Sequence, residues 1–194
     1  MAKGNKITSA TSTGPKDAIA LLEADHRQVE ELFGQFEKAS EDDRKLELAT
    51  KICAALTVHA SVEEEIFYPA FLAATEDMDM HHEAEIEHEG AKNLIAQIED
   101  SSPDDEYYDS MVKVLSELIK HHVKEEEQPE GMFAEARDSD MDLKALGEQM
   151  AARKAELESG GSDANTDDEG DDEGEMPANA EKSGGNRQPG RTDR

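Results

Sequence analysis

Apolar residues recur in alternating steps of three and four along most of the chain, the period of amphipathic helices packed side by side. Ile19, Leu22, His26, Val29, Phe33 and Phe36 form the first stripe. Ahead of it, Gly14-Pro15-Lys16-Asp17 predicts a helix start with Pro just inside. A second stripe, Leu48, Ile52, Leu56, His59, Glu63 and Ile66, predicts a helix from about Asp42 to Tyr68, with Pro69 marking its end. A third helix is predicted from about Met80 to Asp100, with Ala84, His88, Ala91, Ile95 and Ile98 on one face. Ser102-Pro103 reads as an N-cap followed by Pro at the first helical position. It opens a fourth run with Tyr108, Met111, Leu115, Leu118, His122 and Glu126 in register, stopping near Gln128-Pro129. Glu130-Gly131-Met132-Phe133 then reads as a turn that packs back on the rest. A shorter fifth helix is predicted from about Asp140 to Leu157, with Leu143, Leu146, Met150 and Leu157 on one side. No period-two run competes, so the expected fold is all-α: an up-down-up-down four-helix bundle with a short additional C-terminal helix.

Composition narrows this to one domain with tails. The 194 residues hold 48 Asp and Glu against 20 Lys and Arg, a formal charge of −28. Such a surface repels phosphates, so neither nucleic acid nor an anionic membrane is expected as a partner. Trp is absent and 36% of residues are apolar, which leaves Leu, Ile, Val, Ala and Met to build the core. From Glu158 to Arg194 there are 11 acidic and 4 basic residues, seven Gly, and no Leu, Ile, Val, Phe or Tyr. That segment cannot bury enough apolar surface to offset its ordering entropy, so it reads as a disordered acidic tail. The expected organisation is a flexible arm over residues 1–13, a helical bundle over 14–157 and the tail over 158–194. The single cysteine, Cys53, cannot form an internal disulfide and reads as a small core residue within reach of oxidant made nearby. The opening MAKGNKITSATSTGP has no apolar stretch to serve as a signal peptide, and no apolar run is long enough to span a bilayer, so a cytoplasmic location is expected.

All seven histidines lie between positions 26 and 122, and the four on apolar seams, His26, His59, His88 and His122, are spaced 33, 29 and 34 residues apart. Each spacing is one helix plus one turn. In an up-down-up-down bundle such residues come to a common level along the axis. Glu63 and Glu126 each follow a seam histidine by one helical turn on the same face. An ionised carboxylate in an apolar core is too costly unless it is paired or holds a metal, and imidazole with carboxylate suits iron, manganese or zinc. Six ligands with two potential bridges suit two ions better than one, and a non-haem di-iron centre is expected. Tyr107 and Tyr108 could bring a phenol near it or serve equally as core aromatics. His121, with Glu125 four residues on, competes with His122, but the seam favours His122 and puts His121 at its edge. The ferritin-like alternative needs two ExxH motifs, and Glu85 with His88 supplies one. Phosphate loops, CxxC pairs and nucleophile elbows are absent.

Asp25-His26-Arg27, the run from His59 through Glu63 to Pro69, Glu87-His88-Glu89, and the run from His121 to Glu127 together resemble the bacterial hemerythrin-like proteins, the HHE cation-binding family. The resemblance covers about residues 16–135. It implies His26, His59, His88 and His122 as terminal metal ligands and Glu63 and Glu126 as bridges. In the oxygen-carrying hemerythrins the third helix supplies two histidines four apart. Here the positions four either side of His88 are Ala84 and Lys92. Either one metal position stays more open, or Glu85, His81 or His82 fills it. The function implied is reversible binding of O2 or a related small molecule, NO or peroxide, for sensing, storage or scavenging. The alternatives are a di-iron enzyme acting on peroxide or O2, and a protein that stores or donates iron.

Overall fold

The computed structural model describes residues 17–160. The arm expected over residues 1–13, the Gly14-Pro15-Lys16 segment, and the acidic tail from residue 161 onward lie outside the described residues. Helix α1 spans Ala18–Phe36. The side chain of Asp17 accepts the Ala20 N–H at 2.9 Å, so the helix opens on an aspartate N-cap and not on a proline inside its first turn. Helix α2, Asp42–Val62, runs into a π-helical turn, Glu63–Phe67, and on into α3, Tyr68–Thr75, as one rod. Pro69 therefore does not end the helix. It sits in the first turn of α3, where the wider π turn ahead of it has already broken the regular hydrogen-bond ladder. Glu76, left-handed at φ 57°, closes α3, and Asp77 caps the next helix by accepting the Met80 N–H.

Helix α4 spans Met78–Glu99 and α5 spans Tyr108–Glu127. The fourth helix does not open at Ser102-Pro103. Asp105 accepts the Ser102 N–H at 2.8 Å and returns its own N–H to the Ser102 carbonyl at 2.9 Å, closing a separate turn before α5 begins. The turn expected at residues 130–133 leads into a short helix, α6, Met132–Asp138, and α7 follows over Leu143–Gly160, past the predicted end at Leu157. Helix α1 packs on α2, α2 on α4, α4 on α5 and α5 on α1, closing a four-helix bundle. Helix α6 folds under α3 and α5, and α7 lies along α1 and α2. The last contact is close. A Cβ on Gly147 would lie 2.6 Å from the Ala18 nitrogen, so only glycine lets α7 cross the start of α1 there.

The apolar core is divided in two. One half gathers Val29, Phe33, Ile52, Leu56, Ile95 and Leu115, and the other Leu22, Val62, Phe67, Phe71, Phe133 and Met150. Each fully buried Leu or Ile contributes about 1.5–3 kcal/mol. On α1, on the α2–α3 rod and on α4 a seam histidine lies between the two halves; on α5 His122 follows the first half, and the second resumes in α6. Among the described residues no helix is long and apolar enough to cross a membrane.

Candidate metal centre

His26 on α1, His59 on α2, His88 on α4 and His122 on α5 meet in the layer between the two core halves, each 3–6% exposed. They form two pairs. The Nε2 atoms of His26 and His59 are 3.1 Å apart and those of His88 and His122 are 3.3 Å apart, with ring centroids 4.8 Å apart in both pairs. Glu63 Oε2 lies 3.1 Å from His59 Nε2 and 3.3 Å from His88 Nε2. Glu126 Oε2 lies 3.4 Å from His26 Nε2 and 3.6 Å from His122 Nε2. Each carboxylate thus spans from one histidine pair to the other, the placement a bridging ligand needs.

The outward-facing nitrogens are held by a second ring of carboxylates that follows the bundle around. Glu127 on α5 lies 2.8 Å from His26 Nδ1, Glu64 at the π turn 2.8 Å from His88 Nδ1, and Glu87 on α4 2.8 Å from His122 Nδ1. Asp25 on α1 faces His59 Nδ1 at 3.8 Å, an ion-pair distance too long for a hydrogen bond. Every one of these residues is next in sequence to a seam ligand. A step of one residue turns the side chain about 100°, away from its own seam and onto the histidine of the neighbouring helix. Glu127 is held in turn by Arg27, Glu64 by Lys92, Asp25 by Lys154 of α7, and Glu87 faces His121 at 3.3 Å.

This geometry asks for a cation. His26, His88 and His122 each place Nδ1 at 2.8 Å from a carboxylate and so donate a proton there, which in the neutral ring leaves Nε2 as a lone pair. The lone pairs of His88 and His122 therefore face each other at 3.3 Å. Glu63 Oε1 and Glu126 Oε2 are buried with no hydrogen-bond partner. Inward lone pairs, orphaned carboxylate oxygens and imidazoles oriented by outer carboxylates are what metal ions satisfy. Two buried groups, His26-His59-Glu63 and Glu63-His88-His122, each gather their ligand atoms within 4.8 Å and share Glu63.

Without a cation the layer holds protons instead. Burial and the nearby charge of Glu63 push Glu126 up to about 8, while burial lowers His26 to about 4. Burial works against a charged His59, but Glu63 and Asp25 outweigh it and push it up to about 10. Glu63 is held well below the usual carboxylate range, its burial cost overcome by His59 and His88.

Sequence reasoning missed Tyr68. Its hydroxyl lies 3.1 Å from His88 Nε2 and donates toward Glu126 at 3.3 Å and Glu63 at 3.4 Å. The expected tyrosines lie elsewhere: Tyr108 is buried beside Phe36 in the far core half, and Tyr107 is 68% exposed. Glu85 does not reach the ring. Three residues before His88, it is rotated about 60° from the seam, stands exposed and faces His81 at 3.5 Å. His82 is exposed, and His81 meets the edge of the Tyr68 ring with no contact to the four histidines. His121 is 59% exposed and lies outside the ring, behind Glu87. Cys53 is buried in the far core half, where burial and Glu99 push its thiol up to about 12.

On the side of the histidines facing Val29, Leu56, Ala91 and Ile95 lies a mostly apolar cavity of about 170 Å³. All four histidines line it, and Glu63 and Glu126 do not.

Residues 17–134 match the hemerythrin HHE cation binding domain family. Among solved structures, the chain is similar to a hemerythrin HHE cation binding domain-containing protein from Mycobacterium kansasii, with a TM-score of 0.63 and 22% identity, covering 74% of this chain and 88% of that one. Among curated proteins it is 27% identical over 141 residues to a DNA nickase of Nostoc sp.. That match covers 71% of this chain and 38% of the relative, so the chain spans well under half of the relative's length.

Proposed function

Since the chain belongs to the hemerythrin HHE cation-binding family, we propose that its four-histidine, two-glutamate layer holds a pair of non-haem iron ions and reversibly binds O2 or a related small molecule such as NO or peroxide. The observation that carries this reading is the bridging placement of Glu63 and Glu126 between two histidine pairs, beside an apolar cavity lined by the same histidines. A pair of ferrous ions held there would supply the electrons for binding such molecules, and imidazole-carboxylate sites suit iron, with manganese or zinc as substitutes. The chain's own residues do the rest. The outer carboxylates Glu64, Glu87 and Glu127 fix each ring's orientation, and the surrounding core admits a small apolar gas more readily than water.

Tyr68 favours a second reading, an enzyme that consumes peroxide or O2. Its phenol, driven well above its ordinary range by burial and by Glu63 and Glu126, stays a neutral O–H donor inside the centre. A positioned proton is what such turnover requires. In either reading the partner is a small molecule. A net charge of −28 disfavours contact with a phosphate backbone, so the DNA-directed activity of the longer Nostoc relative is not carried over. We place the protein in the cytoplasm, where a lone buried thiol stays reduced.

Anaerobic loading with ferrous iron, a metal count, and the visible spectrum on adding O2 or peroxide test both readings. Two irons and a band that reverses on removing O2 support binding. Two irons with rapid loss of the band and consumption of peroxide support the enzyme, and fewer than two irons overturn the di-iron centre.

A further inference from the structure

The four sides of the outer carboxylate ring are not equivalent. Glu127, Glu64 and Asp25 are each neutralised by a fixed cation, Arg27, Lys92 and Lys154. Glu87 is not. Its Oε1 faces His121 Nε2 at 3.3 Å while its Oε2 bonds His122 Nδ1 at 2.8 Å, and His121 Nε2 also lies 3.2 Å from Glu125. Glu87, His121 and Glu125 offer three ligand atoms within 4.8 Å of one another on the surface of the α4–α5 edge. Directly behind them a pocket of about 100 Å³ is lined by Glu83, Glu87 and Glu125 at its rim and by His122 and Glu126 at its floor. Glu126 is 2% exposed, and its Oε2 has no hydrogen-bond partner.

We infer that this edge is the port through which a divalent cation reaches the buried centre: Glu83, Glu87, His121 and Glu125 capture the ion at the surface, and Glu126 and His122 receive it. The inference rests on the metal-centre reading above. On three sides a Lys or Arg occupies the outer carboxylate itself, whereas on the fourth Glu87 keeps no fixed cation and stands with Glu125 and the His121 imidazole as donors for an incoming ion. Glu87 connects the two stations, with one oxygen on the surface histidine and the other on the buried one. Transfer is an exchange of ligands, oxygen and nitrogen donors at the rim for oxygen and nitrogen donors at the floor, with no change of oxidation state.

Stopped-flow uptake of Co2+ by the metal-free full-length protein, read in the visible spectrum and closed by a metal count, tests this. The Glu83→Gln/Glu125→Gln pair is expected to take up as much cobalt as wild type at a rate about tenfold lower, the low end of electrostatic steering, and the single His121→Ala variant to keep full cobalt but load more slowly because the surface station loses its nitrogen ligand. For wild type, uptake slows as salt is added; for the double variant that dependence is weaker. The Glu47→Gln/Glu117→Gln pair removes the same charge elsewhere on the surface and is expected to leave the rate unchanged. Unchanged rates in the port variants with full metal overturn the port alone, as does equal slowing in the control pair or a reduced final count in the port variants. A wild-type protein that takes up no cobalt overturns the metal centre and the port with it.

Discussion

The Tyr68 hydroxyl lies 3.4 Å from the carboxylate of Glu63, five residues earlier in the same rod. In a regular α-helix two residues five apart point about 140° away from each other. Here they face the same layer because the intervening Glu63–Phe67 segment is a π turn, whose wider winding brings residue i+5 onto the face of residue i. The same shift buries Phe67 and leaves Ile66 only partly buried.

Replacing Tyr68 by Phe removes the donor to Glu126 Oε1 and leaves that buried oxygen unpaired. The metal-free protein is expected to lose about 1–3 kcal/mol of stability. Urea unfolding of the metal-free variant measures this, and an unchanged midpoint would show that the phenol's hydrogen bonds carry no net stability.

The fold and the inner ring were legible in the sequence because both follow the helical period. His26, His59, His88 and His122 stand on seams that continue the apolar stripes, and spacings of about one helix plus one turn along alternating rods bring them to one level. What escaped the sequence departs from that period or lies off the seam. The π turn breaks the phase, so the stripe pointed to Ile66 and missed Tyr68. The Ser102-Pro103 pair has the chemistry of a helix start, but Asp105 closes it into a turn first. The outer carboxylates Asp25, Glu64, Glu87 and Glu127 stand in the histidine motifs of the sequence, but no local pattern gives them a role because their histidine partners belong to other helices. Their adjacency to each seam ligand was the one available signal. Lys154, which anchors α7 to Asp25, lies 129 residues away from it in sequence, beyond any local pattern.

The inner ring and its neighbours separate cleanly by substitution. His59→Ala and Glu126→Ala are expected to abolish metal uptake, because each removes a buried group that no nearby residue replaces. Glu85→Ala is expected to keep full metal, since Glu85 stands exposed beside His81. Elemental analysis of the purified variants decides it. Full metal in either of the first two, or loss in the third, would redraw the ligand set.

Protons and metal compete for the same atoms. At neutral pH the metal-free layer keeps a proton on Glu126, pushed up to about 8, and one on His59, pushed up to about 10. Both must leave for metal to bind, so loading at pH 7 in weak buffer is expected to release protons, visible with an indicator dye. Stability follows the same sign. Between about 6.5, the ordinary histidine value, and 8, both groups hold more protons folded than unfolded. The metal-free protein therefore loses stability as pH rises through that window. The metal-loaded protein should show the reverse, weakening as pH falls and protons displace the ions. Parallel slopes for the two forms, or loading with no proton release, would contradict the proton-held layer.

The cavity beside the histidines separates metal binding from small-molecule binding. At about 170 Å³ and with much apolar wall, it has room for a small molecule such as O2, NO or xenon. Ala91 lines it from α4, one turn beyond His88. Ala91→Phe would fill the space at an overpacking cost of about 1–3 kcal/mol. The variant is expected to bind as much iron as wild type, because Glu63 and Glu126 lie on the other side of the histidines. Its ferrous form should react with O2 or NO far more slowly, since the molecule loses its apolar approach to the imidazoles. Stopped-flow mixing of the iron-loaded variant with O2 or NO reads the effect, with xenon binding to the wild-type cavity as an independent check. Equal rates in the variant and wild type would mean that small molecules reach the centre by another path.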